Sequence, residues 1–330
     1  MADSAQIFSP DFRSHPLPYA DLHCDFLSYS AEFGRANPPE NRGGNGGNGG
    51  NGGNGGNGGN GGNGEKSKTA APPTLAAQFD LFRRGGCKLQ CFALFCKGEA
   101  DSDRRKIENQ LALFRAVRPA FEEITGGKAV LTVEGGAASR GDLPALKNIF
   151  DSGVKIFSPV WNTKNSLSAP NGAAGGLTAK GKAAMAYALE RGAIPDISHA
   201  SDGAARDIFA LAGERKAAVC ATHSLVRALC PHKRNLTDTQ IKKIADSGGV
   251  VGVCFVREFA GNCDLMQHVR YLTEKGGENC VAIGGDFFGT ENPYPESPAA
   301  MPDFFRSLER LFTPRQIEKF AYFNAVRLLS

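Results

Sequence analysis

Residues 193–223 read AIPDISHASDGAARDIFALAGERKAAVCATH. Two short β-rich runs, Ala193–Ser198 and Ala218–Thr222, flank a longer stretch with helical patterning, and a histidine follows each run. This strand–helix–strand unit is the signature of a parallel sheet, because parallel neighbours need a crossover between them. The same alternation extends in both directions. Further candidate strands are Tyr19–His23, Lys88–Phe95, Ala129–Val133, Val154–Ser158, Gly249–Val256 and Cys280–Gly285, which brings the number to eight.

The intervening segments carry helical spacing, as in Ile107, Leu111 and Phe114, or Met185 and Leu189 in a helix that starts after Thr178 and stops at Gly192. Thr237-Asp238-Thr239-Gln240 is a capping box, with Leu236 placed to staple onto Ile241. Eight β-α units in 330 residues predict a single-domain α/β protein, a TIM-like (β/α)8 barrel. The competing architecture, a doubly wound open sheet, lacks the Gly-x-Gly-x-x-Gly turn after the first strand.

Residues 43–64 are seven Gly-Gly-Asn triplets and one glycine, flanked by Pro38, Pro39, Pro72 and Pro73. With no apolar side chain to bury, the tract cannot offset its ordering entropy, and residues 38–73 are expected to form a disordered insertion after the first strand, on the barrel rim. A flexible coil of this length spans roughly 25 Å, and closing it costs a few kcal/mol, so the fold tolerates it. The 38 basic and 34 acidic side chains leave a net charge of +4, which names neither nucleic acid nor a membrane surface as partner. Met1–Pro16 has no signal pattern, and no stretch approaches the roughly 18 apolar residues of a membrane span. Nine cysteines without a Cys-x-x-Cys pair point to buried thiols in a reducing compartment, and a cytoplasmic location is expected.

Barrel sites lie at the carboxyl ends of the strands. There the sequence places His23 and Asp25, Glu134, His199, His223 and Asp286. His23 and Asp25, two apart on extended chain, point to one side and can hold one ion together. His199 and His223 could hold a second, and Glu134, with two oxygens, could bridge both. A binuclear site activates water and polarises a carbonyl, which is hydrolase chemistry. Asp286 is placed to move a proton, and the Arg234 fork can clamp a substrate carboxylate. His232 reads as loop structure.

These residues sit in seven ordered motifs that resemble the membrane (renal) dipeptidase family: Asp21-Leu22-His23-Cys24-Asp25, Val133-Glu134-Gly135-Gly136, Gly176–Gly181, Asp196–Ser201, Thr222-His223-Ser224, Arg234–Asp238 and Gly284-Gly285-Asp286-Phe287. The resemblance implies two Zn2+ per chain, one on His23 and Asp25, one on His199 and His223, with Glu134 shared. It also implies dipeptide substrates, often with a C-terminal D-residue, cleaved by attack of a hydroxide between the metals. Arg234 would bind the substrate carboxylate, and Asp286 would assist proton transfer and meet the amino end. A homodimer follows by the same analogy.

Two positions depart from the family pattern. Trp161, in Pro159-Val160-Trp161-Asn162, stands where well-known members have a substrate-contacting His, so it is expected to tune substrate choice through its indole N–H. Phe288 replaces an Asp, which removes a polar group beside Asp286. These departures motivate an alternative substrate: another small amide, a β-lactam or a lactone. A barrel that only binds a ligand is the third reading, and the intact ligand set argues against it.

Overall fold

The computed structural model describes residues 16–32, 74–99 and 101–330. The expected insertion at 38–73 lies outside them. All eight strands form: β1 (Tyr19–Cys24), β2 (Cys87–Phe95), β3 (Lys128–Glu134), β4 (Ile156–Ser158), β5 (Ile194–Pro195), β6 (Ala221–Ser224), β7 (Val251–Val253) and β8 (Val281–Ile283). They pair in parallel in the order β5-β4-β3-β2-β1-β8-β7-β6. The ends of this ribbon meet through a parallel bridge between Asp196 and Cys220. There Ile197 N–H donates to Cys220 O at 3.0 Å and Cys220 N–H donates to Pro195 O at 2.9 Å, which closes the (β/α)8 barrel.

The expected strand Ala193–Ser198 shrinks to two residues for a chemical reason. Pro195 has no N–H to give to a ladder, and the N–H of Ser198 turns to the Asp196 carboxylate at 2.9 Å. The long central strands β1 and β2 are buried along almost their whole length, as expected of parallel strands covered on both faces.

Among the described residues twelve α-helices surround the strands: α1 (Phe26–Glu32), α2 (Leu75–Gly85), α3 (Asp101–Thr125), α4 (Leu143–Asp151), α5 (Ala179–Glu190), α6 (Asp202–Glu214), α7 (Asp238–Asp246), α8 (Arg257–Ala260), α9 (Leu265–Gly276), α10 (Met301–Leu308), α11 (Pro314–Glu318) and α12 (Asn324–Leu329). The predicted caps form. Thr178 caps α5, and Thr237 with Gln240 makes the full capping box of α7. Ser201 Oγ accepts the Ala204 N–H at 2.9 Å, so the cap of α6 stands two residues after His199 and fixes where that rim loop ends.

The main core lies between sheet and helices. A smaller one gathers Ala20, Leu22, Leu89, Cys91, Ile156, Cys220 and Ala282 with Ala325 and Leu328 of α12. Asn324 of α12 donates to the carbonyls of Glu278 and Val281 at 2.8 and 2.7 Å, which seats this helix at the amino ends of the strands, opposite the rim. All nine cysteines are unpaired; seven are buried, and Cys230 and Cys263 are partly exposed. Among the described residues no helix is long and apolar enough to cross a membrane.

Candidate metal centre

Every rim residue singled out from the sequence faces one small volume. His23 Nε2 lies 3.6 Å from Asp25 Oδ2, 3.6 Å from Glu134 Oε2 and 3.7 Å from Asp286 Oδ1. The other Glu134 oxygen, Oε1, lies 2.7 Å from His199 Nε2 and 3.4 Å from His223 Nε2. The two carboxylate oxygens of Glu134 therefore face different imidazoles. His23 and His223 stack with ring centroids 3.8 Å apart. Two sets of side chains offer ligand atoms within 4.8 Å of one another: His23, Glu134 and His223, and His23, Asp25 and Asp286.

Local structure aims each group. Asp286 and Phe288 adopt left-handed backbone, φ 56° and 68°, in a tight turn where Gly289 N–H donates to Asp286 O at 3.1 Å. Asp286 N–H reaches back to His23 O at 3.2 Å, which ties the turn to β1. Gly289 has no side chain where one could not fit: a Cβ there would stand 2.2 Å from Asp25 Oδ2 and 2.4 Å from Asp286 Oδ1. Gly135, φ 88°, has a similar role after β3, since a Cβ would stand 2.3 Å from Cys96 O.

The buried carboxylates and imidazoles of this cluster shift one another. Burial pushes the Asp286 carboxyl up to about 8, with the charges of Asp25 and Glu134 adding to it. Burial, then Glu134, also raises Asp25. Burial alone would raise Glu134, but His23 and His199 outweigh it and hold the group well below its usual range. His199 is lowered to about 4 by burial, and His223 falls well below its usual value from burial and the neighbouring His23. Both are therefore neutral near pH 7, the form in which imidazole ligates metals.

His199 Nδ1 donates to Asn162 Oδ1 at 2.9 Å, so its Nε2 carries a lone pair that faces a carboxylate oxygen at 2.7 Å. His23 Nε2, Asp25 Oδ1 and Glu134 Oε2 are buried without hydrogen-bond partners among the described residues. Imidazole and carboxylate groups that converge in this way suit a divalent metal.

Arg234 is buried beside this cluster. Its Nη2 donates to His223 O at 3.2 Å, while Nε and Nη1 have no hydrogen-bond partner among the described residues. The guanidinium lies over Phe259, 5.3 Å from the ring centroid, and His232 stacks on the same ring at 4.7 Å, a packing role as expected. Trp161 stands 6.2 Å from the His199 ring and packs edge-on against Phe95. Phe288 does not face the site as its sequence position beside Asp286 suggests. Its ring turns into an aromatic group with Phe26, Tyr29 and Phe82, at 5.3, 5.4 and 6.1 Å.

Residues 63–330 match the family model for membrane dipeptidases, peptidase family M19. The chain belongs to this family. An uncharacterized protein in the pqqA 5′ region of Klebsiella pneumoniae is 35% identical over 182 residues, which cover 50% of this chain and 66% of that protein. Dipeptidase ataJ of Aspergillus terreus is 32% identical over 152 residues, 42% of this chain and 36% of that protein. The match thus spans about one third to two thirds of these curated relatives' length. In fold, the chain resembles a metallopeptidase from Rhodobacter sphaeroides solved with a phosphinate mimic of the dipeptide L-Ala-D-Ala, with TM-score 0.73 and 20% identity over 95% of this chain and 99% of that one. The family match begins at residue 63, so His23 and Asp25 join the site through the fold rather than through that match.

Sequence reasoning gave no role to Asp21, Asn162, Asp196 or Thr222. Asp21 Oδ1 accepts from His23 N–H at 3.1 Å and from Gly285 N–H at 2.9 Å, while Asp196 Oδ1 accepts from Ser198 N–H at 2.9 Å and Thr222 N–H at 3.0 Å. Each aspartate thus holds the residue two places on and a residue after or on the neighbouring strand. The repeated Asp-x-His and Asp-x-Ser at strand ends was the signal available for both.

Proposed function

We propose that the protein is a cytoplasmic zinc dipeptidase with two Zn2+ per chain. The observation that carries this reading is the convergence of three histidines and three carboxylates beside a buried arginine with two unpartnered nitrogens. His23 and Asp25 would hold one zinc and His199 and His223 the other, with one Glu134 oxygen toward each. Zinc in such a site lowers the pKa of water toward neutrality and acts as a Lewis acid.

The remaining work falls to the protein's own groups. Arg234 receives the substrate carboxylate on Nε and Nη1, whose burial makes an anionic partner the fitting occupant. That contact sets the scissile carbonyl a fixed distance from the cluster, so two-residue substrates fit and longer ones lose the clamp. Asp286 holds a proton on Oδ1 for the leaving amine. Trp161, at the edge of the His199 ring, shapes the space for the substrate side chain. The L-Ala-D-Ala mimic held by the Rhodobacter protein supports a D-residue at the C-terminal position. The unpaired cysteines support a reducing compartment.

The test is release of free amino acids from L-L, L-D and glycyl dipeptides by protein stripped with chelator and reloaded with zinc. Zinc-restored release is expected. A reloaded protein that binds zinc and cleaves no dipeptide would refute the substrate assignment.

A further inference from the structure

We propose that Asp196 is a positioning residue of the metal centre: through the Thr222 hydroxyl it fixes the His223 proton on Nδ1 and leaves Nε2 as the ligand atom. The proposal rests on the reading of His223 as a metal ligand and adds to it what sets that ligand's tautomer.

The argument is a count of protons. Asp196 is buried and, as a carboxylate, accepts only. Its Oδ2 receives the Thr222 hydroxyl at 2.6 Å, and its Oδ1 receives the Ser198 hydroxyl at 2.7 Å. Each hydroxyl has a single proton, and both are now committed. Thr222 Oγ1 also lies 2.9 Å from His223 Nδ1. With no proton left to give, Oγ1 accepts there, so the imidazole proton sits on Nδ1. His223 Nε2 then presents a lone pair toward His199 Nε2 at 2.9 Å and Glu134 Oε1 at 3.4 Å.

The arrangement holds more than the ring. Ser198 Oγ accepts the His223 backbone N–H at 3.2 Å, and the Thr222 N–H goes to Asp196 Oδ1. Ring and backbone of His223 thus hang on one buried carboxylate 27 positions away, on the adjoining strand end. His199 differs: its Nδ1 donates to the neutral amide oxygen of Asn162, which also accepts from Asn171 Nδ2 at 3.1 Å. Outer contacts of this kind shape metal affinity.

Two changes separate the relay from simple packing. Thr222→Val keeps the shape and removes the hydroxyl. Asp196→Asn puts an amide donor where Oδ2 stood, which reverses the chain: the amide gives to Oγ1, Oγ1 gives to Nδ1, and the imidazole proton moves to Nε2. Imidazole 15N shifts of the zinc-free protein read the tautomer directly, and competition with a chromophoric chelator reads zinc affinity.

Wild type is expected to show the His223 proton on Nδ1. Thr222→Val should mix the tautomers and weaken one of the two zincs about ten- to hundredfold. Asp196→Asn should invert the tautomer, and Thr222→Ser should restore wild-type behaviour in both measurements. A wild-type His223 protonated on Nε2 overturns the proposal whatever the variants do. So does a Thr222→Val protein that keeps both the Nδ1 tautomer and the wild-type zinc affinity. A wild type that binds no zinc defeats the metal reading instead, and the tautomer measurement still judges the relay.

Discussion

Gly289→Ala adds one methyl group between two carboxylates. The new carbon would stand 2.2 Å from Asp25 Oδ2 and 2.4 Å from Asp286 Oδ1, against an ordinary non-bonded approach of about 3.5 Å. Both carboxylates must therefore withdraw by about 1 Å. They are side-chain ends, free to swing, and Gly289 is exposed without a left-handed φ, so alanine brings no backbone strain. Stability should stay within about 1 kcal/mol of wild type, since alanine also restricts the unfolded chain. Function should not. A displacement of about 1 Å at reacting groups costs on the order of a hundredfold in rate, or about 3 kcal/mol of barrier. The assay is kcat/KM on a dipeptide with zinc content and a urea midpoint measured on the same preparation. A variant with wild-type kcat/KM and full zinc content would refute the claim that Asp25 and Asp286 act from the positions seen here.

The converse is expected at Phe288. Its ring packs on Phe26, Tyr29 and Phe82 and faces away from the histidine–carboxylate cluster, so Phe288→Ala should cost about 2 kcal/mol in urea unfolding and leave kcat/KM within about threefold. Glu134→Ala and His199→Ala should each leave less than about 1% of amino acid release, because even outer contacts of a metal site are worth 10- to 100-fold. Arg234→Lys keeps the charge and loses the fork, so KM for dipeptides should rise about tenfold or more, with little change for dipeptide amides, as initial rates on both would show. Chelator should abolish release and zinc should restore it, followed by dialysis and metal analysis.

The barrel and the rim were legible because they depend on local order. A β-rich run followed by a polar residue marks a strand end, and His23, Glu134, His199, His223 and Asp286 all lie at such ends or just past them. Only the extent of the strands drifted. Pro195 and the side-chain acceptor of Asp196 end β5 early, since they divert the donors a longer ladder would need. Of the outer contacts, the Asp-x-His and Asp-x-Ser patterns mark the two aspartates but not their partners across the barrel. Asp196 and Thr222 lie 26 positions apart and meet only when the barrel closes, and nothing in either residue marks it as the other's partner. Phe288 misled for a related reason. Adjacency to Asp286 in sequence suggested a pocket wall, whereas two successive left-handed positions around Phe287 turn the ring into the aromatic core.

The ribbon of eight strands is continuous everywhere except between β5 and β6, where one bridge joins its ends. His199 and His223 stand on opposite sides of that gap, with their Nε2 atoms 2.9 Å apart. A cation held by both is then the clasp of a hoop, and its binding energy is also closure energy. At a free concentration a thousandfold above Kd, such an ion adds about 4 kcal/mol to the folded state, comparable to a large share of a domain's whole stability. A joint held by one bridge is the part of the barrel that such an ion would fasten.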